Sequence, residues 1–312
     1  MSDPVMMIPK RMVELEVDGQ AVKVFEGETL LDAITKAGIE TPTLCFGETL
    51  QPKNACRVCV VEVEGARVLQ PSCSRKAEPG MKVHTNSERV RASRRMVLEL
   101  LASSVDLSTT SVAPEYLAAY DARPEKFGPQ APPDAHRDHH RAGHSAETDG
   151  QLAATVYQGK KVDNDLYMRD YSKCILCYKC VDACGEQWQN TFAISVAGRG
   201  FDARISTEFV VPLPESACVY CGNCIQVCPT GALMFKSEHD LREEGEWREE
   251  EQTVTQTICT YCGVGCNLEL HVQDNSIVKV TSPPDHSITH GNLCIKGRFG
   301  FQHAQARDGA KQ

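Results

Sequence analysis

The sixteen cysteines of this chain fall into four groups of four. The first is Cys45, Cys56, Cys59 and Cys73, with ten, two and thirteen residues between successive members. The second and third, Cys174, Cys177, Cys180, Cys184 and Cys218, Cys221, Cys224, Cys228, each read C-x2-C-x2-C-x3-C. The fourth, Cys259, Cys262, Cys266 and Cys294, reads C-x2-C-x3-C-x27-C. Thiolates are soft ligands that suit both zinc and iron–sulfur clusters, so spacing has to discriminate. Three cysteines in C-x2-C-x2-C wrap three corners of a [4Fe–4S] cubane, and the fourth cysteine of each run ligates the other cubane. That rule predicts one cubane on Cys174, Cys177, Cys180 and Cys228 and a second on Cys184, Cys218, Cys221 and Cys224. A zinc site made of two CxxC knuckles would leave the third cysteine of each run without a role. The first and fourth groups, taken alone, leave a zinc knuckle open.

The chemistry expected is therefore electron transfer. No Walker loop, GxGxxG or GxSxG motif occurs, so no catalytic residue is assigned and no substrate is expected to be transformed on this polypeptide alone. Lys296, two residues past Cys294, reads from the sequence alone as a cation on an exposed turn. His136, His139, His140 and His144 lie in a Pro-, Asp- and Gly-rich stretch and read as residues of a solvated linker rather than as a metal site.

The elements that must position these cysteines are legible in part. VELEVDGQAVKVF (13–25) alternates apolar and polar residues around Asp18-Gly19, which predicts a hairpin. EGETLLDAITKAGI predicts a short helix opened at Glu28-Thr29 and stopped at Gly38, and the cysteine-bearing loop follows it. Strand, strand, helix, loop is the order of a β-grasp ferredoxin. SERVRASRRMVLELLASS has helical period. TFAIS and TEFVV predict strands between the two halves of the cysteine repeat, EHDLREEGEWREEE reads as an acidic tether, and NLELHVQDNSIVKVTS predicts a small sheet around the fourth group. The domain boundaries expected are 10–105, a linker region 106–165, 166–237, a tether 238–252, and 253–312.

With 312 residues, 41% hydrophobic and 24% charged, the chain has the composition of folded material. A net charge of −9 with no basic face argues against nucleic acid as a partner. No apolar run is long enough to span a bilayer, and the start MSDPVMMIPKRMVELEV has neither a signal-peptide core nor a twin-arginine pair. The expected location is the cytoplasm, where clustered thiols more often serve metals than disulfides.

In their order, the four groups resemble the N-terminal portion of the cytoplasmic molybdenum- or tungsten-dependent formate dehydrogenase catalytic subunit. More distantly they resemble the large iron–sulfur subunit of respiratory complex I. The resemblance spans roughly residues 12–302 and is most specific in DLYMRDYSKCILCYKCVDAC and ICTYCGVGCNLEL. It implies an α+β chain with a β-grasp [2Fe–2S] ferredoxin domain holding its cluster on Cys45, Cys56, Cys59 and Cys73, and a double-cubane ferredoxin domain. It also implies a small β-rich [4Fe–4S] domain of the molybdopterin oxidoreductase type, with its cubane on Cys259, Cys262, Cys266 and Cys294. One [2Fe–2S] and three [4Fe–4S] clusters result.

In that family a lysine matching Lys296 lies between the last cubane and a pterin, which implies an electron-transfer role for it. Two departures stand out. ASSVDLSTTSVAPEYLAAY carries no His or Cys where the family has a His-x3-Cys-x2-Cys cluster motif, so that cluster is expected to be absent. The chain also ends at GFQHAQARDGAKQ, short of a molybdopterin-binding domain, which gives the expectation of a split enzyme. Its partners would be a molybdopterin-binding catalytic subunit with a Mo/W-bis-pterin guanine dinucleotide and a flavin/NAD(P) subunit with FMN. The other readings are an electron relay of a hydrogenase or another molybdopterin oxidoreductase, and, from a different class, a zinc-stabilised scaffold.

Overall fold

The computed structural model describes residues 10–110, 112–128, 160–199, 203–284 and 288–309. The four linker histidines lie outside the described residues.

Strands β1 (Met12–Val17) and β2 (Gln20–Phe25) form the expected hairpin, with Val17 opposite Gln20. Its two turn residues, Asp18 and Gly19, both have positive φ, 47° and 85°, the primed geometry that matches strand twist. Thr29 caps α1 (Leu30–Lys36): its hydroxyl accepts from the Asp32 amide while the Asp32 carboxylate accepts from the Thr29 amide, a capping box. Strands β3 (Val60–Val63), β4 (Gln70–Pro71) and β5 (Lys82–His84) complete a sheet of order β2-β1-β5-β3-β4, in which β1 runs parallel to β5. Val13, Leu15, Val17, Val22 and Val24 point inward onto Leu30, Ala33 and Ile34, and this β-grasp core contains no cysteine.

Helix α2 (Glu88–Ser104) starts at Ser87, whose side chain accepts from the Val90 amide. On its inner face the buried Arg94 donates to the Val60 carbonyl at 2.9 Å and to the Tyr120 hydroxyl at 2.6 Å. It thereby ties the sheet to the segment that follows α3 (Val112–Ala119). Replacing Arg94 by Met keeps the stem and strands both acceptors, so we expect a loss of about 2–3 kcal/mol. A thermal unfolding midpoint equal to that of the unaltered chain would refute this.

The cysteine repeat is closed by β6 (Tyr167–Arg169) pairing antiparallel with β9 (Leu233–Phe235). Between them lie α4 (Lys179–Cys184), β7 (Ser195–Ala197), β8 (Arg204–Ser206) and α5 (Asn223–Gln226). The strands expected at TFAIS and TEFVV are displaced. Of the first segment only Ser195 enters β7, and Glu208–Val210 forms a 3-10 turn. The aromatic and β-branched residues that signalled a strand instead bend the chain: Phe192, Phe209 and Val210 have φ of 54°, 50° and 62°.

The stretch expected as an acidic tether is structured. It carries α6 (Lys236–Glu243), in which Arg242 pairs with Glu238 at 2.8 Å. Lys279 approaches the same carboxylate at 3.5 Å. Arg242 and Lys279 each lie 4.9 Å from the centre of the Trp247 ring. Basic residues supplied by the helix itself and by the next sheet neutralise a run that in isolation looked self-repelling.

That sheet is β10 (Thr253–Ile258), β11 (Asn267–Gln273) and β12 (Ser276–Thr281), antiparallel throughout. Helix α7 (Ile295–Gly309) begins directly after Cys294 and was not foreseen. Its glycines make it a weak helix by propensity, and burial of Arg298, Phe299 and Phe301 fixes it instead. Among the described residues no helix is long and apolar enough to cross a membrane.

Candidate metal centres

Cys45, Cys56 and Cys59 sit on the loop between α1 and β3, and Cys73 follows β4; all four are buried. Asn54 and Arg57, at φ 57° and 59°, turn the loop around them. The sulfurs associate in two couples. Within each couple the neighbouring sulfur draws one thiol down, Cys56 beside Cys45 and Cys59 beside Cys73. The other member of each, Cys45 and Cys73, is pushed up by the same neighbour and by burial. The Cys56 amide also approaches the Cys45 sulfur at 3.5 Å. Two couples of thiols suit a two-iron rhomb, in which each iron takes two thiolates.

The two C-x2-C-x2-C runs turn at the same two positions. Leu176 and Tyr178 in one, Tyr220 and Gly222 in the other, have φ of 52°, 64°, 58° and 71°. These left-handed residues curl each loop and turn amides toward sulfur: Leu176 N donates to Cys174 Sγ and Tyr220 N to Cys218 Sγ, both at 3.4 Å. Bulky residues held at positive φ are strained, and such strain clusters at ligand sites. The fourth cysteine of each run faces the other loop. Burial lifts the thiols of Cys174 to about 11 and Cys177 to about 12 and raises Cys180 further, with Cys228 adding to each. Burial likewise raises Cys221 and Cys224, with Cys184 adding to both.

Cys174, Cys177, Cys180 and Cys228 line one apolar pocket with Ile205 and Leu233. Four clustered thiolates, two of them buried, repel one another unless a cationic core lies between them. The donor set, the inward amides and the apolar walls therefore fit an iron–sulfur core.

In the fourth group, the Cys259 amide donates to the Cys266 carbonyl at 2.7 Å. The Cys266 thiol is raised by burial and by the sulfurs of Cys259, Cys294 and Cys262. Cys262 and Cys294 reach the surface. Around them Ile258 and Val264 are 61% and 60% exposed, and Tyr261 and Ile295 are also exposed. Lys296, in the first turn of α7, is exposed as well.

Two packed seams bring the groups into series. Cys45, Cys56 and Cys177 share one apolar cluster with Val58, Leu98 and Tyr120. Polar contacts flank it: Trp188 Nε1 donates to the Thr49 carbonyl at 3.3 Å, and Lys53 pairs with Asp182 at 2.9 Å. Tyr116 and Leu117 of α3, from a segment that carries no His or Cys, pack in this seam.

At the other end α7 lies on the Cys221–Cys224 loop. Phe299 meets Phe235 and Tyr167 at ring separations of 5.5 and 6.2 Å. A Cβ at Gly222 would come within 2.9 Å of Arg298 and 3.0 Å of Phe299. Its counterpart in the repeat, Tyr178, tolerates φ 64°, so the close approach of α7, and not φ alone, requires glycine there. Sequence reasoning missed Arg298; the only signal was an arginine in I-K-G-R-F-G just after the last cysteine.

Three family models match the chain: a 2Fe-2S iron-sulfur cluster binding domain over residues 10–88, a 4Fe-4S dicluster domain over 173–232, and a molybdopterin oxidoreductase Fe4S4 domain over 252–306. The alpha subunit of the NADPH-Fe(3+) oxidoreductase of Geobacter sulfurreducens is 32% identical over 300 residues, which are 95% of this chain and 32% of the relative. A Staphylococcus haemolyticus protein whose formate dehydrogenase name is provisional is 27% identical over 323 residues, 92% of this chain and 30% of the relative. The chain spans about a third of the length of these relatives. A crystal structure of an NAD+-reducing [NiFe]-hydrogenase superposes with a TM-score of 0.56 and 24% identity, over 72% of this chain and 87% of that one, a likeness of fold. The chain thus carries iron–sulfur domains of the [2Fe–2S], dicluster [4Fe–4S] and molybdopterin oxidoreductase [4Fe–4S] kinds, in an α+β fold.

Proposed function

We propose that this chain is the electron-relay part of a cytoplasmic formate dehydrogenase complex, joining a Mo/W-bis-pterin active site to a flavin/NAD(P) subunit. In this reading Cys45, Cys56, Cys59 and Cys73 hold a [2Fe–2S] cluster, with Cys45 and Cys56 on one iron and Cys59 and Cys73 on the other. Cys174, Cys177, Cys180 and Cys228 hold the first cubane, and Cys184, Cys218, Cys221 and Cys224 the second. Cys259, Cys262, Cys266 and Cys294 hold the third. When bound, such clusters accept and release single electrons at potentials set by hydrogen bonds to sulfur and by burial.

The chain's own residues do the rest. The apolar seam around Cys45, Cys56 and Cys177 keeps water from between the [2Fe–2S] and first cubane sites. α7 holds the Cys294 site against the Cys221–Cys224 loop. The observation that carries the reading is this continuity of packed contact from Cys45 to Cys294, ending in a site whose sulfurs reach an exposed apolar rim.

An exposed rim of Ile258, Tyr261, Val264 and Ile295 around a redox site is the kind of patch that partner protein covers. The match to a molybdopterin oxidoreductase Fe4S4 domain supports a pterin-bearing neighbour, and the exposed Lys296 directly follows Ile295 of that rim. Formate rests on the resemblance of the cysteine motifs and on the provisionally named Staphylococcus relative.

Two experiments test it. An anaerobic pull-down of the tagged chain from its host should recover a molybdopterin protein that oxidises formate, together with a flavoprotein. Recovery of a hydrogenase would transfer the relay to that enzyme. Lys296→Met should leave iron content unchanged and slow formate-dependent dye reduction several-fold in the reconstituted complex; full activity would return Lys296 to the role of a surface cation.

A further inference from the structure

Arg298 is a fully buried arginine that the relay described so far does not use. Its guanidinium donates to the Cys221 carbonyl at 3.4 Å, Asn223 Oδ1 at 3.0 Å, the Val280 carbonyl at 3.1 Å and the Gly291 carbonyl at 3.5 Å, and also to Gln226 Oε1. Two of these partners, Cys221 and Asn223, belong to the loop of the second cubane site, and Arg298 itself stands one helical turn after Cys294 of the third. The Leu293 amide, next to Cys294, donates to the same Asn223 Oδ1 at 3.0 Å.

Every partner Arg298 has among the described residues is a neutral oxygen. A buried cation without a carboxylate is costly unless anions lie near it. A cubane with four thiolates is anionic in both redox states, and more so when reduced.

We propose that Arg298 is the shared counter-cation of the second and third cubane sites. It is a positioning residue that clamps the Cys294 helix onto the Cys221–Cys224 loop, and its charge raises the reduction potentials of both clusters. The sign follows from Coulomb's law: a fixed positive charge stabilises the form carrying the extra electron. The inference rests on the reading that both cysteine groups hold cubanes.

The test is an EPR-monitored redox titration of the anaerobically purified full chain. In Arg298→Gln the reduced-to-oxidised ratio of these two cubanes at a fixed potential should fall about tenfold, a downward shift of about 59 mV for one electron. The [2Fe–2S] cluster and the first cubane should not move. Arg298→Lys, which keeps charge and loses the planar fork, should restore the midpoints while altering the magnetic interaction between the two reduced clusters. If Arg298→Gln loses iron, Asn223→Asp, an isosteric change that sets a carboxylate on the guanidinium, should give the same downward shift.

Unchanged midpoints in an Arg298→Gln protein of full iron content overturn the proposal, as do unchanged midpoints in Asn223→Asp where the first variant fails. A parent protein showing fewer than three cubane signals would instead overturn the reading beneath it.

Discussion

Stripping iron with a ferrous chelator under reducing conditions unfolds residues 166–237 and leaves the β-grasp sheet intact. This outcome is expected because the two cores are built differently. The β-grasp core of Val13, Leu15, Val17, Val22, Val24, Leu30 and Ile34 contains no cysteine. The core of the double unit has Cys180 within it, and Cys174, Cys184, Cys218, Cys224 and Cys228 are packed against it. Without a metal core the clustered thiols leave that interior hollow, and metal-binding free energy is folding free energy in such a unit. Hydrogen exchange followed by mass spectrometry reads it: amides of β6, α4, α5 and β9 should exchange like those of an unfolded chain, while those of β1, β2 and α1 keep their protection. Retained protection in both regions would mean that the double unit does not depend on clusters.

Removal of the fourth cysteine of one run should cost the cluster of the other run. Cys228→Ala is expected to lose or degrade the cubane held by Cys174, Cys177 and Cys180, although Cys228 lies close to Cys224 in sequence. Cys184→Ala is expected to damage the cubane of Cys218, Cys221 and Cys224. The crossing at Cys228 follows from the fold: β6 and β9 pair antiparallel and bring the end of the second run against the start of the first. The charge of Cys228 is felt by all three thiols of the 174–180 loop, and that of Cys184 by Cys221 and Cys224. Iron analysis should find each variant lacking about 4 of the iron atoms, and EPR-monitored redox titrations of the two should differ in which midpoint disappears. If each variant lost the cubane of its own run, the ligand assignment would be wrong.

What the sequence made legible follows from how local its causes are. The Asp18-Gly19 hairpin and the Thr29 cap are written in adjacent residues. The cysteine groups are legible because ligand spacing is itself a local constraint. The acidic run at 238–251 was misread because its neutralising partner Lys279 comes from β12 and the platform for both cations is Trp247. TEFVV was misread because composition favours a strand, whereas the backbone turns at Phe209, which is 88% exposed. Helix α7 and Arg298 escaped notice for the same reason: a glycine-rich helix and a lone arginine acquire their meaning only where α7 meets Gly222 and Asn223.

The decisive measurement is iron, zinc and acid-labile sulfide analysis of the anaerobically isolated chain, combined with Mössbauer and EPR spectra of its oxidised and reduced forms. The account predicts about 14 iron and an equal amount of sulfide per chain, resolved as one [2Fe–2S] and three [4Fe–4S] clusters, with no stoichiometric zinc. Zinc in place of iron in any of the four groups, or spectra lacking the [2Fe–2S] or any one of the cubanes in fully loaded protein, would contradict it.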